Sequence, residues 1–364
     1  YNLLIKSGYV MDTLDKKLNF EFRTSQHILK LISEIDLFKG KWEILASRKV
    51  DILKELKNIA TIQSIGSSTR IEGATLSDDE VRQLISDLKI NKLENRDEQE
   101  VVGYFDVLEL ILENSEDIDH SKSYLVPLHY VMLKYSTKGS GRKREKKKVS
   151  NKVVANYPDG TQRIIFNTTE PYLVPKEMHE LINWTNKKLE NQEYHPLLVI
   201  GLFIYEFLSI HPFHDGNGRL SRLLTTLLLI KMDYDFVKYI SFEHLIENRK
   251  EQYYAALMEC QKDRNTENER PDKWMLFFLN SLKLLTIKLN IKLSNAESKH
   301  IYINERQQKI KAYILENQPC KIGDINKHFS EISINTLKKD LQYLAKNKII
   351  NKHGERKATV YSVL

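Results

Sequence analysis

The sequence predicts an all-α protein with one small β-hairpin and a C-terminal module of three helices and a second hairpin. Three observations carry this. Apolar residues recur at helical spacing in the N-terminal part: Ile28, Leu31, Ile32, Ile35 and Phe38, then Ile52, Leu53, Leu56, Ile59, Ala60 and Ile62. No proline precedes Pro127, so nothing interrupts long helices there. Two apolar runs, Leu197 to Ile210 and Leu223 to Ile230, flank a short polar, glycine-bearing stretch. They read as buried helices holding a site rigid between them.

Length and composition set the outer bounds. A chain of 364 residues suggests two or three domains, and 41% hydrophobic content is ample for a core. Lys and Arg number 56 against 49 acids, a net +7 that permits nucleic-acid contact without requiring it. Cys260 and Cys320 lie far apart and form no metal or disulfide pattern, as expected of a reducing cytoplasm. No signal peptide is visible, and the first residue is Tyr1, so a native start further upstream is expected. The longest apolar stretch, Leu197 to Ile210, falls short of the ~20 residues of a membrane span and contains Glu206. It reads as a core helix, and no membrane partner is expected. There is no internal repeat.

Residues 1 to about 105 read mainly as helix. The helix beginning near Val50 is expected to end in Ser67-Ser-Thr-Arg-Ile-Glu-Gly73, with Gly73 at the C′ position. Glu72 in its last turn has the wrong sign for the helix dipole, a cost of ~0.3–1 kcal/mol, and wants a cationic partner elsewhere. Thr75 to Glu80 reads as the cap of a helix from Val81 to Leu88. The basic run Arg142 to Lys148 reads as a solvated loop. In Val153 to Phe166, Asp159-Gly160 lies between β-prone segments, a hairpin signal. Pro175 to Glu190 reads as a further helix carrying Trp184.

The polar stretch is His211-Pro-Phe-His-Asp-Gly-Asn-Gly-Arg-Leu-Ser-Arg222. Pro212 biases His211 away from the α region, so the preceding helix ends there. Gly216 and Gly218 allow a tight turn and close approach to a ligand. A new helix starting near Arg219 would present free N–H groups and its positive dipole end, an anion site suited to a phosphate chain. Arg222, one turn inside, leans back over the loop. Asp215 suits a Mg²⁺ riding on the phosphates. His211 suits a general base that takes a proton from an attacking hydroxyl. A capped helix–turn–helix corner accounts for the Gly and Asn residues but not for two arginines, a His and an Asp around one loop. A metal hydrolase using His211, His214 and Asp215 would need further ligands, and the sequence offers no second cluster.

This stretch resembles the Fic family motif, HPFx(D/E)GNGRxxR, at every defined position. The resemblance covers about residues 50 to 285. It implies a helical enzyme that transfers AMP from Mg²⁺-bound ATP to a Ser, Thr or Tyr hydroxyl of a target protein or of itself, releasing pyrophosphate. His211 would then be the general base and Asp215 the Mg²⁺ ligand. Gly216, Asn217 and Gly218 would form the anion cradle, and Arg219 and Arg222 would handle the phosphates. Leu220 and Ser221 fall inside the nucleotide-binding stretch, and His214 sits at the variable position without a role. Ser68-x-x-x-Glu72-Gly73 resembles the family's inhibitory motif, (S/T)xxxE(G/N), upstream of the core in the same chain. It implies that Ser68, Glu72 and Gly73 restrain catalysis, with Glu72 pairing Arg222 and displacing ATP. The hairpin resembles the family's target-binding flap, carried here to about Tyr157 to Pro171 and centred on Ile164 to Thr168. Tyr254 and Gln261, two helical turns apart, resemble the residues that close over adenine, although many relatives have Asn where Gln261 stands. Tyr253 reads equally well as a core aromatic.

Residues 272 to 298 read as one or two helices with Trp274, Phe277 and Phe278 inward. Asn304 to Leu364 is lysine-rich: helices at Gln307 to Leu315, Ile322 to Phe329 and Ser333 to Leu344, then strands at Ile349-Ile350 and Thr359 to Val363 around His353-Gly354. This is the order of a winged helix-turn-helix. Lys338 and Lys339, with Lys352, Arg356 and Lys357 in the wing, could meet DNA phosphates; a protein-contact module is the alternative. The expected domains are an N-terminal helical region with the inhibitory helix (1–105), a Fic core (106–285), a linker helix (286–303) and the winged helix (304–364). The alternative functions are a nucleotide-sensing, DNA-binding transcription regulator and a Fic transferase using another nucleotide. Homodimerisation stays open.

Overall fold

The computed structural model describes residues 13–363 except 49, 88–92, 94, 119–121, 137–146, 150–151, 157–161, 301–303, 348 and 355–358. The chain is mainly helical, in two compact units, Tyr1–Ile291 and Lys292–Leu364.

In the first unit the helices are α1 (Thr13–Lys16), α2 (Phe22–Arg48), α3 (Val50–Ile71), α4 (Asp78–Ser86), α5 (Arg96–Asn114) and α6 (Lys122–Met132). The hairpin β1 (Lys152–Asn156) and β2 (Gln162–Asn167) follows. Then come α7 (Val174–Asn191), α8 (Pro196–Ile210), α9 (Asn217–Lys231), a 3₁₀ turn (Asp235–Tyr239), α10 (Phe242–Glu247), α11 (Lys250–Gln261) and α12 (Asp272–His300), which runs on past Ile291 into the residues of the second unit. In α8 every residue from Leu197 to Ile210 except Leu198 is buried; in α9 only Gly218 and Lys231 are not. A helix that is apolar all round belongs in a core. Here α8 packs on α7 and α9, while α5, α6, α10 and the 3₁₀ turn cover α9. α12 is long and apolar enough to span a membrane, but it is a core helix that buries Trp274, Phe278, Leu282 and Leu285.

Several charges buried in this unit are paired, as their desolvation requires. Glu206, on α8, meets Lys17 at 2.6 Å and Arg264 at 3.0 Å, and Glu269 meets Lys17 at 2.9 Å. Asp15 accepts from Trp184 Nε1 and Lys188 Nζ, fastening the α1 segment to α7.

Several local expectations change. α4 starts at Asp78, not Val81, because Ser77 and Glu80 close a capping box and bring the acids into the first turn. α3 ends one residue before Glu72, and Gly73 follows with φ 104°. β1 and β2 pair antiparallel from Lys152↔Asn167 to Asn156↔Gln162, with an irregularity at Val153/Val154; the turn Asp159-Gly160 lies outside the described residues.

The second unit holds α13 (Glu305–Asn317), β3 (Cys320–Lys321), α14 (Ile322–His328), α15 (Ile334–Lys346), β4 (Asn351–His353) and β5 (Val360–Ser362). Its antiparallel sheet has the order β3-β5-β4. β3 is too short to carry an alternating pattern, so the sequence reading missed it. Ile310, Ile314, Leu337, Leu341, Leu344 and Tyr361 share one core. Buried Asp340 accepts from Arg306 and Gln307, tying α15 to α13.

Leu227, on α9, is wholly buried. Leu227→Ala should lower the unfolding free energy by about 2–5 kcal/mol, measured by urea denaturation. A loss below ~0.5 kcal/mol, the range of surface substitutions, would mean that α9 is not the packed centre of this unit.

Candidate active site

The loop between α8 and α9 is built by backbone constraints first. α8 stops at His211, whose N–H donates to Phe207 O. Pro212 was expected to bias His211 away from the α region and end the helix there, and His211 is left-handed, at φ 54° and ψ 62°. That conformation also leaves the α region and lets the chain reverse at once between two buried helices. The Asn217 side chain then closes the loop: its Oδ1 accepts from Phe213 N at 2.9 Å and its Nδ2 donates to Phe213 O at 2.8 Å. Gly216 is left-handed at φ 81° and caps α9, which starts at Asn217 and not near Arg219. From α6, His129 stacks on Phe213 with centroids 3.8 Å apart, and its Nε2 lies 2.8 Å from Asp215 O.

The charged side chains take their places around this frame. Arg219 is 1% exposed; Glu100 from α5 approaches its Nη1 at 3.2 Å, and Asp215 lies 3.3 Å from its Nη2. Arg219 Nε and Nη1 make no hydrogen bond among the described residues. Arg222 donates through Nε to Ser68 Oγ at 2.8 Å, and through Nη2 to Ser68 O at 2.9 Å and Glu72 Oε1 at 2.8 Å. The Glu72 carboxylate therefore lies over the first turn of α9. A Cβ on Gly218 would sit 2.2 Å from Glu72 Oε1, so only glycine admits this approach. Burial opposes the Glu72 charge, but Arg222, and then Arg219, hold its carboxyl below the usual range. Burial likewise opposes the Arg222 charge, and Glu72 reverses the balance, raising its pKa.

His211 Nδ1 lies 3.2 Å from Leu208 O. A carbonyl only accepts, so Nδ1 carries the proton and Nε2 keeps its lone pair. Burial is the main reason that the His211 pKa falls to about 4; the Leu208 hydrogen bond opposes it, Lys147 adds to it, and Glu72 and Asp215 act against it. The imidazole is therefore a neutral base at ordinary pH. Asp215 stands exposed at the rim, and its Oδ1 accepts from Gly216 N at 2.7 Å. Partial desolvation would raise its carboxyl, but Arg219 and the Gly216 N–H hold it low. Among the described residues no three His, Cys, Asp or Glu side chains converge as metal ligands, the set that the hydrolase reading needs. One carboxylate on an open rim fits a Mg²⁺ whose other ligands are phosphate oxygens and water.

Leu220 points into the core and Ser221 Oγ donates to Gly218 O, so neither side chain faces the cradle. Tyr253, buried against Trp274 and Phe277, interacts through its hydroxyl with Arg222 and Ser221, and burial pushes its pKa up to about 12. Tyr254 lies edge-on to Tyr253. Gln261 Nε2 donates to Ser209 Oγ, at the end of α8. A groove of about 980 Å³ between α11 and α12 shares no residue with the loop.

The basic run Arg142 to Lys148 was expected to be solvated; residues 142–146 lie outside the described residues, and Lys148 is exposed. Lys147 corrects this: it is buried, and it binds the segments on either side of His211. Glu100, His129 and Lys147 were missed as site residues, and Tyr253 was left open between a site role and the core. Each is remote in sequence, and only the fold brings it to the loop.

Residues 119–229 match the Fic/DOC family. A Fido domain-containing protein of Dictyostelium discoideum is 35% identical over 74 residues, 20% of this chain and 52% of that protein. The protein adenylyltransferase Fic of Aedes aegypti is 29% identical over 186 residues, 50% of this chain and 34% of that protein. The chain thus spans about half of the first relative and a third of the second. A Fic family protein from Desulfovibrio desulfuricans G20 shares the fold at a TM-score of 0.58 and 23% identity, covering 93% of this chain and 96% of that one. A Fic domain-containing signaling protein from Bacteroides thetaiotaomicron VPI-5482 does so at 0.57 and 23%, covering 74% and 99%. The polar loop, residues 211–222, lies inside the segment that matches the Fic/DOC family.

Proposed function

We propose that the chain is a protein adenylyltransferase restrained by its own Glu72. It transfers AMP from ATP to a Ser, Thr or Tyr hydroxyl of a target protein, or of itself, in the cytoplasm. The observation that carries this reading is the carboxylate of Glu72 seated over Gly218 and bonded to Arg222. An anion already occupies the helix N-terminus, where a nucleotide phosphate would bind. The Aedes aegypti relative, named an adenylyltransferase, supports the choice of nucleotide chemistry.

In the proposed reaction His211 Nε2 takes the proton of the acceptor hydroxyl. The hydroxyl oxygen forms a bond to the α-phosphorus of ATP, the bond from that phosphorus to the bridging oxygen breaks, and pyrophosphate leaves. Asp215 would hold a Mg²⁺, which supplies neutralisation of the phosphate charge. The N–H groups at the start of α9 and the side chains of Arg219 and Arg222 orient the phosphates. With Arg222 engaged by Glu72, the nucleotide is held out of line for attack, and small misplacements cost large factors in rate. The hairpin β1–β2 serves as the strand edge for the target segment. Tyr254 and Gln261 remain proposed adenine contacts; another nucleotide with the same phosphates would use the same cradle.

For the second unit we propose a winged helix that binds DNA. Lys338 and Lys339 are exposed on α15 beside buried Leu337; Arg356 and Lys357 lie outside the described residues.

Three outcomes test these readings. With labelled ATP, Glu72→Gly should modify itself faster than wild type, and the added change His211→Ala should abolish transfer while nucleotide binding persists. Equal rates in wild type and Glu72→Gly, with both folded, would reduce Glu72 to the end of a helix. Second, kcat/KM reports the base in the free enzyme. With the His211 pKa near 4, transfer should stay level from pH 7 to pH 5 and fall only towards pH 4. An acid limb centred near 6.5 would contradict a desolvated His211. Third, DNA affinity should fall steeply with salt, and Lys338→Ala should shallow that slope by about one unit. No DNA retention at low salt would favour a protein-contact role.

A further inference from the structure

We propose that Lys147 is a positioning residue for the transfer reaction, clamping the His211 corner and the base of the β1–β2 hairpin into one unit. The inference rests on the transferase reading for its kinetic consequence, but its geometry stands by itself. Lys147 bonds to the carbonyls on both sides of His211: its backbone N–H donates to Pro212 O at 3.0 Å, and its Nζ donates to Ile210 O at 3.0 Å. The same Nζ donates to Thr168 Oγ1 at 2.5 Å, and Thr168 is the residue that follows β2. Two neighbouring bonds run in parallel with these. The Thr169 N–H donates to Ser209 O at 3.2 Å, and the Lys148 N–H donates to His214 Nε2 at 3.3 Å.

His211 needs such a clamp. It is a non-glycine residue in the left-handed region, which persists only where the surroundings over-determine it. The bond to Ile210 O holds the peptide group that enters the His211 Cα, and the bond to Pro212 O holds the peptide group that leaves Pro212, so the corner carrying the imidazole is pinned before and after His211. Lys147 is 3% exposed, and an ammonium taken out of water is retained only when its hydrogens are bonded. A loop filler of similar length, such as methionine, would avoid that cost. The amine joins what an apolar side chain cannot: the corner with the base and the strand edge proposed to hold the target segment. Glu170 and Glu177 lie near enough to offset its charge, although burial still pulls its pKa down to about 8.

The test compares Lys147→Met and Thr168→Val, each in full-length Glu72→Gly, with Glu72→Gly alone. Lys147→Met keeps length and volume but removes both Nζ bonds, and Thr168→Val removes only the hairpin-side acceptor. Hydrogen exchange of residues 162–170 and 209–214 is followed by mass spectrometry, and kcat and the KM for ATP are measured for self-modification. Lys147→Met should speed exchange in both segments and lower kcat by about tenfold or more, the scale on which ~1 Å of misalignment acts, without changing the KM for ATP. Thr168→Val should speed exchange in 162–170 only, with a smaller loss of kcat. Unchanged exchange in both segments, or a KM that rises in step with the loss of kcat, would overturn the proposal. If Lys147→Met fails to fold, Thr168→Val decides it, and unchanged exchange over 162–170 would count against the clamp. If Glu72→Gly transfers nothing, the transferase reading fails, whereas the exchange measurement still decides whether Lys147 holds the corner.

Discussion

The loop from His211 to Gly216 joins two helices that have almost no exposed face. α8 and α9 cannot slide or tilt without breaking the core on all sides, so the ends of the loop are fixed points. Every feature of the site follows from turning the chain between those points. His211 reverses direction in a left-handed conformation, Asn217 closes the turn on the Phe213 backbone, and Gly216 opens α9. The amides at the start of α9 are thereby presented by a frame that needs no reorganisation to receive an anion.

Two arginines on the first turns of α9 are then trapped in the core, and their desolvation dictates what surrounds them. Arg219 is met from below by Glu100 and from the rim by Asp215. Arg222 takes Ser68 and Glu72 from α3 and its end. Removing one partner of a buried ion pair leaves a charge that neither water nor protein solvates. An anionic ligand at this helix terminus would supply the missing charge, so the proposed competition between Glu72 and a nucleotide phosphate needs no long-range signal. Both ligands answer the same electrostatic demand at the same guanidinium.

The sequence made some of this legible and hid the rest for physical reasons. Apolar helices that are buried all round announce themselves by composition, so α8, α9 and the loop between them could be read directly. The wrong-signed Glu72 at a helix end called for a distant cation, and Arg222 is 2.8 Å from it. Tertiary partners leave no such trace. Glu100 sits in the acidic run of Asp97, Glu98 and Glu100, where nothing marks it as the residue that turns inward. Lys147 belongs to a basic run whose composition argues for solvent, and only its hydrogen bonds reveal that it is buried. Tyr253 and Tyr254 are adjacent, so helical spacing alone could not say which one would reach Arg222.

The position of Glu72 also limits what its displacement would require. α3 itself is held firmly near its end: Arg70 forks onto Glu247 and also bonds Asp78, and Lys250 donates to Ile71 O. Glu72 lies one residue past the helix, its side chain about one-third exposed at 32%, while the Arg222 side chain is 3% exposed. The carboxylate is disfavoured by the C-terminal dipole of its own helix and favoured by the N-terminal dipole of α9. A ligand that takes over the second interaction therefore faces no resistance from the first. On the proposed reading, restraint could be lifted by rotation of one side chain towards water, with α3 and its Ser68 contacts left in place.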